Sequence, residues 1–263
     1  MTQVQDICDF LESFAPTALA EDWDNVGLIV GDPAVEATKI MTCLTITPES
    51  ADEAITRGAS LIVSHHPLPF RPLKRITTEQ TPSRLIWDLI RAGVSIYSPH
   101  TAFDSAPDGI NQMFGQRLGL SDIQPLVAAD PETPSIGAGR HGQLENELTL
   151  ASFADNVKQT FGLGSVKICG SSDFQVRRVG VACGSGGSFL GHAIAAGCDT
   201  FVTGETTFHT CLEAAAQNVA LVLTGHYASE RFAVESLATT LATRFPGCEV
   251  WASQKESDPV QIV

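Results

Sequence analysis

The 263-residue chain contains no apolar run long enough to span a bilayer as a helix. Its first residues, Met1-Thr2-Gln3-Val4-Gln5-Asp6, lack the basic start and apolar core of a secretion signal, so a cytoplasmic location is expected. Its seven cysteines are odd in number, contain no CxxC pair and form no tight framework. That excludes a disulfide scaffold and suits a reducing compartment, with Cys43, Cys183 and Cys198 as small core residues. Basic residues are scarce as well: 16 Lys and Arg stand against 30 Asp and Glu, a net charge of −14. A field of that sign repels a phosphate backbone and argues against nucleic acid as a partner. It leaves room for a phosphorylated small molecule, because a bound metal reverses the local sign.

What remains is a globular composition, 43% hydrophobic and 17% charged, long enough for one large or two small α/β domains. The pattern is organised around Ser60-Leu61-Ile62-Val63-Ser64-His65-His66-Pro67. Leu61–Val63 reads as a buried strand of a parallel sheet, closed by Gly58 before and Pro67 after. Open α/β sheets carry their chemistry past the carboxyl ends of strands, and two imidazoles stand there.

In chain order, Val4, Ile7, Cys8 and Leu11 predict an amphipathic helix over 3–14. Trp23-Asp24-Asn25-Val26-Gly27 is a polar turn entering a strand; Asp22, Asp24 and Asn25 are open to facing a site, and turn chemistry, the preferred reading, accounts for the Asp and Asn equally well. Lys39–Ile46 is a strand. Thr47 caps a following helix with Pro48 at its first position and Glu49 in its first turn. The loop 67–82 holds Arg71, Lys74 and Arg75, a dense basic cluster in an acidic chain and a candidate anion grip. Helices are expected over 83–92 and 109–118, a strand over 94–97, and a connection rich in Pro and Gly over 121–145. Thr149 caps a helix to Phe161, and 165–169 is a strand. Gly184-Ser185-Gly186-Gly187 precedes a helix and reads either as an anion cradle or as a tight turn.

Residues 39–66 overlay 178–205 without a gap at an offset of 139. Each copy is strand, helix, Gly, strand; one ends in His65-His66, the other in Gly204-Glu205. With a one-residue slip, His100-Thr101-Ala102-Phe103-Asp104 matches His226-Tyr227-Ala228-Ser229-Glu230, both His-x-Ala-x-acid. The expected fold is therefore α/β: two similar halves from an internal duplication, with a metal site at strand carboxyl ends between them. Residues 1–122 joined by 226–263 form the first half and 123–225 the second. His226 and Glu230, at i and i+4, share a helix face. His65, His66, His100, Asp104, His226 and Glu230 are too many for one tetrahedral zinc and suit two bridged divalent ions that activate water. His141 and His192 stand apart, and His209 is intermediate.

These motifs together resemble the Nif-three-like family of dinuclear-metal proteins, whose members are labelled GTP cyclohydrolase type 2 homologues. The resemblance rests on Trp23-Asp24-Asn25-Val26-Gly27-Leu28, Ser64-His65-His66-Pro67, His100-Thr101-x-x-Asp104, residues 199–205 and Gly225-His226-Tyr227-Ala228-Ser229-Glu230. It implies a toroidal homo-hexamer with metal ligands at His65, His66, Asp104, His226 and Glu230, and His100 as a neighbouring group. The ions fit zinc, iron, manganese or nickel alike. The expected function is metal-dependent hydrolysis of a small molecule, a nucleotide such as GTP or another phosphoester or amide. His100 and Glu205 are the candidate proton carriers, and Arg71 or Lys74 a phosphate contact. The competing expectation is a ring-forming protein that binds metal or partners without catalysis.

Overall fold

The computed structural model describes residues 1–261. They divide into two compact units: Met1–Phe103 with Arg231–Ser257, and Asp104–Glu230 with the chain from Asp258 on.

The first unit opens with α1 (Val4–Phe14), which buries Val4, Ile7, Cys8 and Leu11 and starts on a capping box between Gln3 and Asp6. Then follow β1 (Gly27–Val30), β2 (Lys39–Cys43), α2 (Pro48–Arg57), β3 (Leu61–Ser64), α3 (Thr81–Arg91), β4 (Ser95–Ser98) and the short α4 (His100–Ser105). Thr47 accepts the Ser50 amide and Gly58 ends α2 in the left-handed region, as the sequence predicts. β3 and β4 are buried along their whole length. With β13 (Glu249–Ala252) these strands form a sheet ordered β1-β4-β3-β2-β13, parallel except for the β1 edge. Glu53 closes it: its buried carboxylate accepts Trp251 Nε1, Ser253 Oγ and the amides of Gln254 and Lys255.

The second unit contains α5 (Ile110–Arg117), β5 (Ser121–Gln124), β6 (Val127–Ala128), β7 (Gly137–Ala138), β8 (Arg140–Thr149), α6 (Leu150–Phe161), β9 (Lys167–Cys169), β10 (Gln175–Ala182), α7 (Leu190–Ala195), β11 (Thr200–Thr203), α8 (Phe208–Ala216), β12 (Ala220–Leu223) and the first turn of α9 (His226–Arg244). Its sheet runs β5-β8-β10-β11-β12-β9, with β10, β11 and β12 parallel. Residues 121–145 are therefore not mere connection: β5 and β8 pair with each other, and β8 with β10. That pairing gathers α5 and β5 into the second unit, so the compact units part at 103/104 rather than at the expected 122. Arg140 is buried at the start of β8, giving its guanidinium to Gln112 Oε1 and to the carbonyls of Gly137, Gly139 and Ala106.

The two parallel cores share one register, consistent with the overlay of 39–66 on 178–205. β2 pairs β3 through Ile40–Leu61, Met41–Ile62, Thr42–Val63 and Cys43–Ser64. β10 pairs β11 through Val179–Thr200, Gly180–Phe201, Val181–Val202 and Ala182–Thr203, the same register shifted by 139.

Candidate metal centre

In the first unit, the ladder continues beyond β3. The His65 amide donates to Cys43 O at 2.9 Å and the His66 amide to Leu44 O at 2.8 Å. Ser98 Oγ clamps the His65 carbonyl from β4. The two imidazoles therefore leave a rigid strand end. His100 joins them from the first residue of α4, at a φ of 25°, a strained value for a side-chain-bearing residue. One ring nitrogen from each of His65, His66 and His100 lies within 4.8 Å of the others, and His65 and His100 are buried.

Oxygens fix the rings. His100 Nδ1 donates to Asp24 Oδ1 at 2.7 Å, and Asp24 Oδ2 also takes the Thr101 amide and hydroxyl. Burial raises the Asp24 pKa, but those bonds outweigh it and hold the carboxyl at about 2. A proton on Nδ1 makes Nε2 the basic nitrogen of His100. His66 Nδ1 lies 2.7 Å from Thr45 Oγ1, and the Thr45 amide is held in turn by Glu256. The sequence leaves Asp24 either facing a site or making the turn, with turn chemistry preferred. Asp24 does make the turn, through the Asn25 amide, but its second role is toward a ring 76 residues away.

In the second unit, β12 runs through Gly225, at φ 93°, into α9. His226 Nε2 lies 3.2 Å from Glu230 Oε2, one turn on, and His226 Nδ1 donates to Glu205 Oε1 at 2.9 Å. The Glu230 bond, opposed by burial and assisted by Glu205, raises the His226 pKa to about 9. Glu205, also held by Ser185 Oγ, thus orients His226. The Gly-rich stretch proves to be a tight turn: the amides of Gly184 and Gly186 go to Ser229 Oγ and Thr203 Oγ1. Its purpose is space. A Cβ on Gly184 would sit 2.3 Å from Glu230 Oε1, and one on Gly204 2.6 Å from Ser229 Oγ. Asp104, in the same unit, accepts Cys183 Sγ at 3.2 Å, and Asn111 ties the Asp104 carbonyl to the Cys183 amide. Burial, then the Asp104 and Glu230 charges, push the Cys183 thiol well up, so it stays a neutral donor. Among the described residues His141, His192 and His209 join no group of candidate ligands.

The Duf34/NIF3 (NGG1p interacting factor 3) sequence profile matches residues 2–259. The chain belongs to the Duf34/NIF3 family. Among its relatives, a GTP cyclohydrolase 1 type 2 homolog of Clostridium acetobutylicum is 36% identical over 87% of this chain and 85% of its own length. Protein NIF3 homolog of Schizosaccharomyces pombe is 32% identical over 95% and 94%. The crystal structure of a Staphylococcus aureus protein superposes with a TM-score of 0.90 at 28% identity, covering 99% of both chains. A Bacillus cereus protein related to NIF3 gives a TM-score of 0.91 at 24% identity, covering 100% of this chain and 99% of that one, which shows the shared fold. Buried imidazoles with oriented rings and a carboxylate at i+4 are the donor set of a borderline divalent ion, so the residues fit the metal that the resemblance implies. No helix among the described residues is long and apolar enough to cross a membrane.

Proposed function

We propose that this Duf34/NIF3 chain is a metal-dependent hydrolase of a small molecule, with two divalent ions held by His65, His66, Asp104, His226 and Glu230. The observation that carries this reading is the pairing of ring nitrogens with fixed oxygens in both units, Asp24–His100 and Glu205–His226, the arrangement that orients ligating or proton-carrying imidazoles. Bound divalent ions supply Lewis acidity and a lowered water pKa. His100 does the proton work: Nε2 takes a proton from the attacking water, and the Asp24 carboxylate stabilises the imidazolium. Glu205 acts through His226 as a positioning residue rather than as a proton carrier of its own.

The relatives' name makes GTP the first substrate to test, with ring opening and loss of formate. Formate should appear from GTP with saturating Mn²⁺, Zn²⁺ or Fe²⁺ and vanish in His100→Ala at unchanged metal content. No formate under any of these metals removes GTP ring opening and leaves a metal-binding protein without that activity.

The resemblance also supports a homo-hexamer. Phe208 and Leu212, one turn apart on α8, are 72% and 52% exposed, and Ile168 on β9 is 42% exposed. Light scattering should return six chains; a monomer would contradict the assembly.

A further inference from the structure

Trp23 and Phe70 are large aromatic residues that the fold leaves outside its core, at 61% and 49% exposure. They meet each other and the same imidazole. Their ring centroids lie 5.9 Å apart, Trp23 packs edge-on 6.1 Å from His100, and Phe70 edge-on 5.9 Å from it. Asn25 Nδ2 donates to Pro69 O at 2.9 Å, tying the turn that carries Trp23 to the loop that carries Phe70. The two rings are thus set in place before any ligand arrives, at the cost of apolar surface left in water. A core role would bury them; exposed and seated against the imidazole, the two rings offer a flat apolar face to a ligand.

The same loop continues into Arg71, Lys74 and Arg75, all exposed. They are three of the 16 basic residues of a chain with net charge −14, within five positions of one another. Sequence reading singled out this cluster as an anion grip, and the exposed rings now stand beside it in the chain. A flat apolar face followed by cations matches a planar heterocycle bearing a phosphate, whose ring stacks while its anion is neutralised.

We propose that Trp23 and Phe70 form the platform on which the substrate's aromatic heterocycle, a purine or a related fused ring, stacks beside His100. Arg71, Lys74 and Arg75 take its phosphate. The assignment rests on the hydrolase reading and names the substrate class for that site. It makes Trp23 a specificity residue for ring-bearing over ring-free phosphates.

Calorimetry on the full-length, metal-loaded protein tests it, with guanosine, GMP and ribose 5-phosphate as probes. Guanosine and GMP should bind saturably. Trp23→Ala should weaken both about tenfold, within the range of one lost stacking contact. Trp23→Phe should retain most of the affinity, and Trp87→Phe, on α3, should change nothing. Ribose 5-phosphate should bind more weakly and be indifferent to Trp23→Ala but sensitive to Arg71→Ala/Lys74→Ala/Arg75→Ala. Equal guanosine affinity in wild type and Trp23→Ala overturns the platform, as does absence of guanosine and GMP binding. So does a change of assembly state in Trp23→Ala without loss of ring binding, which would make the patch a contact between copies. Metal content, measured on the same samples, separates the two readings. Full metal without ring binding defeats the platform alone, whereas Trp23-dependent ring binding in a chain that holds no metal defeats the metal reading alone.

Discussion

The two parallel cores share a register, yet their strand ends carry unlike chemistry. At the end of β3, His65 and His66 supply the side chains from the strand end itself, and Thr45 bonds the His66 ring. At the positions 139 residues on, the same three places hold Gly204, Glu205 and Gly184. Two of them are glycines. The space there is filled from α9, where Glu230 crowds the Gly184 backbone and Ser229 that of Gly204 closely enough that a Cβ would collide. Helices carry a His and an acid four residues on in both cases, His100 and Asp104 on α4 and His226 and Glu230 on α9; only the end of β3 adds imidazoles of its own, while the corresponding end of β11 carries glycine. The two cores share their backbone pairing and differ in whether the strand end bears the donors.

The sharpest way to break this contrast is to refill the cleared space. Gly184→Ala adds a Cβ 2.3 Å from Glu230 Oε1 at a φ of 58°. It is expected to lower metal affinity by about 100-fold, the upper end for loss of support around a ligand, and to cost about 1–2 kcal/mol in backbone strain. The counterpart Thr45→Ala removes a side chain instead and should cost only about tenfold, since His66 keeps its strand-end backbone bonds. Competition with a fluorescent chelator measures both; equal effects would mean that the two positions do not play these unlike parts.

A second comparison sets the two orienting carboxylates side by side. The Asp24 side chain is 0% exposed and that of Glu205 58%. Asp24→Asn should therefore reduce activity about tenfold or more, and Glu205→Gln several-fold less, because solvent replaces an exposed partner more cheaply. Reversal of that order would show that His226, not His100, depends on its carboxylate.

The smallest effect concerns the first sheet alone. Burial raises the Glu53 pKa, but the bonds from Ser253, Gln254, Lys255 and Trp251 prevail and lower it. A lowered folded pKa stabilises above the unfolded carboxylate value and is lost as pH falls through the folded value. Glu53→Gln should thus cost about 2 kcal/mol at pH 7, with the gap to wild type closing below about pH 4. Urea melts at the two pH values measure it, and a gap that stays constant with pH would refute the role of the charge.

Much of this was legible in the chain because it is local or periodic. The apolar run of β3, the Thr47-Pro48-Glu49 cap, and the gapless overlay of 39–66 on 178–205 each follow from short-range pattern, and the paired registers agree with that overlay. β8 was hidden because Arg140-His141-Gly142-Gln143 carries no apolar alternation; the strand exists through its partners β5 and β10. The sequence leaves Asp24 open to facing a site but does not mark it as the partner of a ring, and it does not single out Thr45, for a related reason. Their hydrogen bonds to His100 and His66 span 76 and 21 residues, and nothing in the local sequence marks an oxygen as the partner of a distant ring. The Gly184 turn left two readings open because a glycine's use as empty space shows only when its neighbour, Glu230, is in place.

The most direct measurement is elemental analysis of protein purified without chelators, beside Glu230→Ala and the double variant His65→Ala/His66→Ala. The expected result is about two divalent ions per chain, with loss in each variant, one variant in each compact unit. Less than one ion per chain, unchanged by either variant, would contradict the metal centre and the hydrolase chemistry built on it.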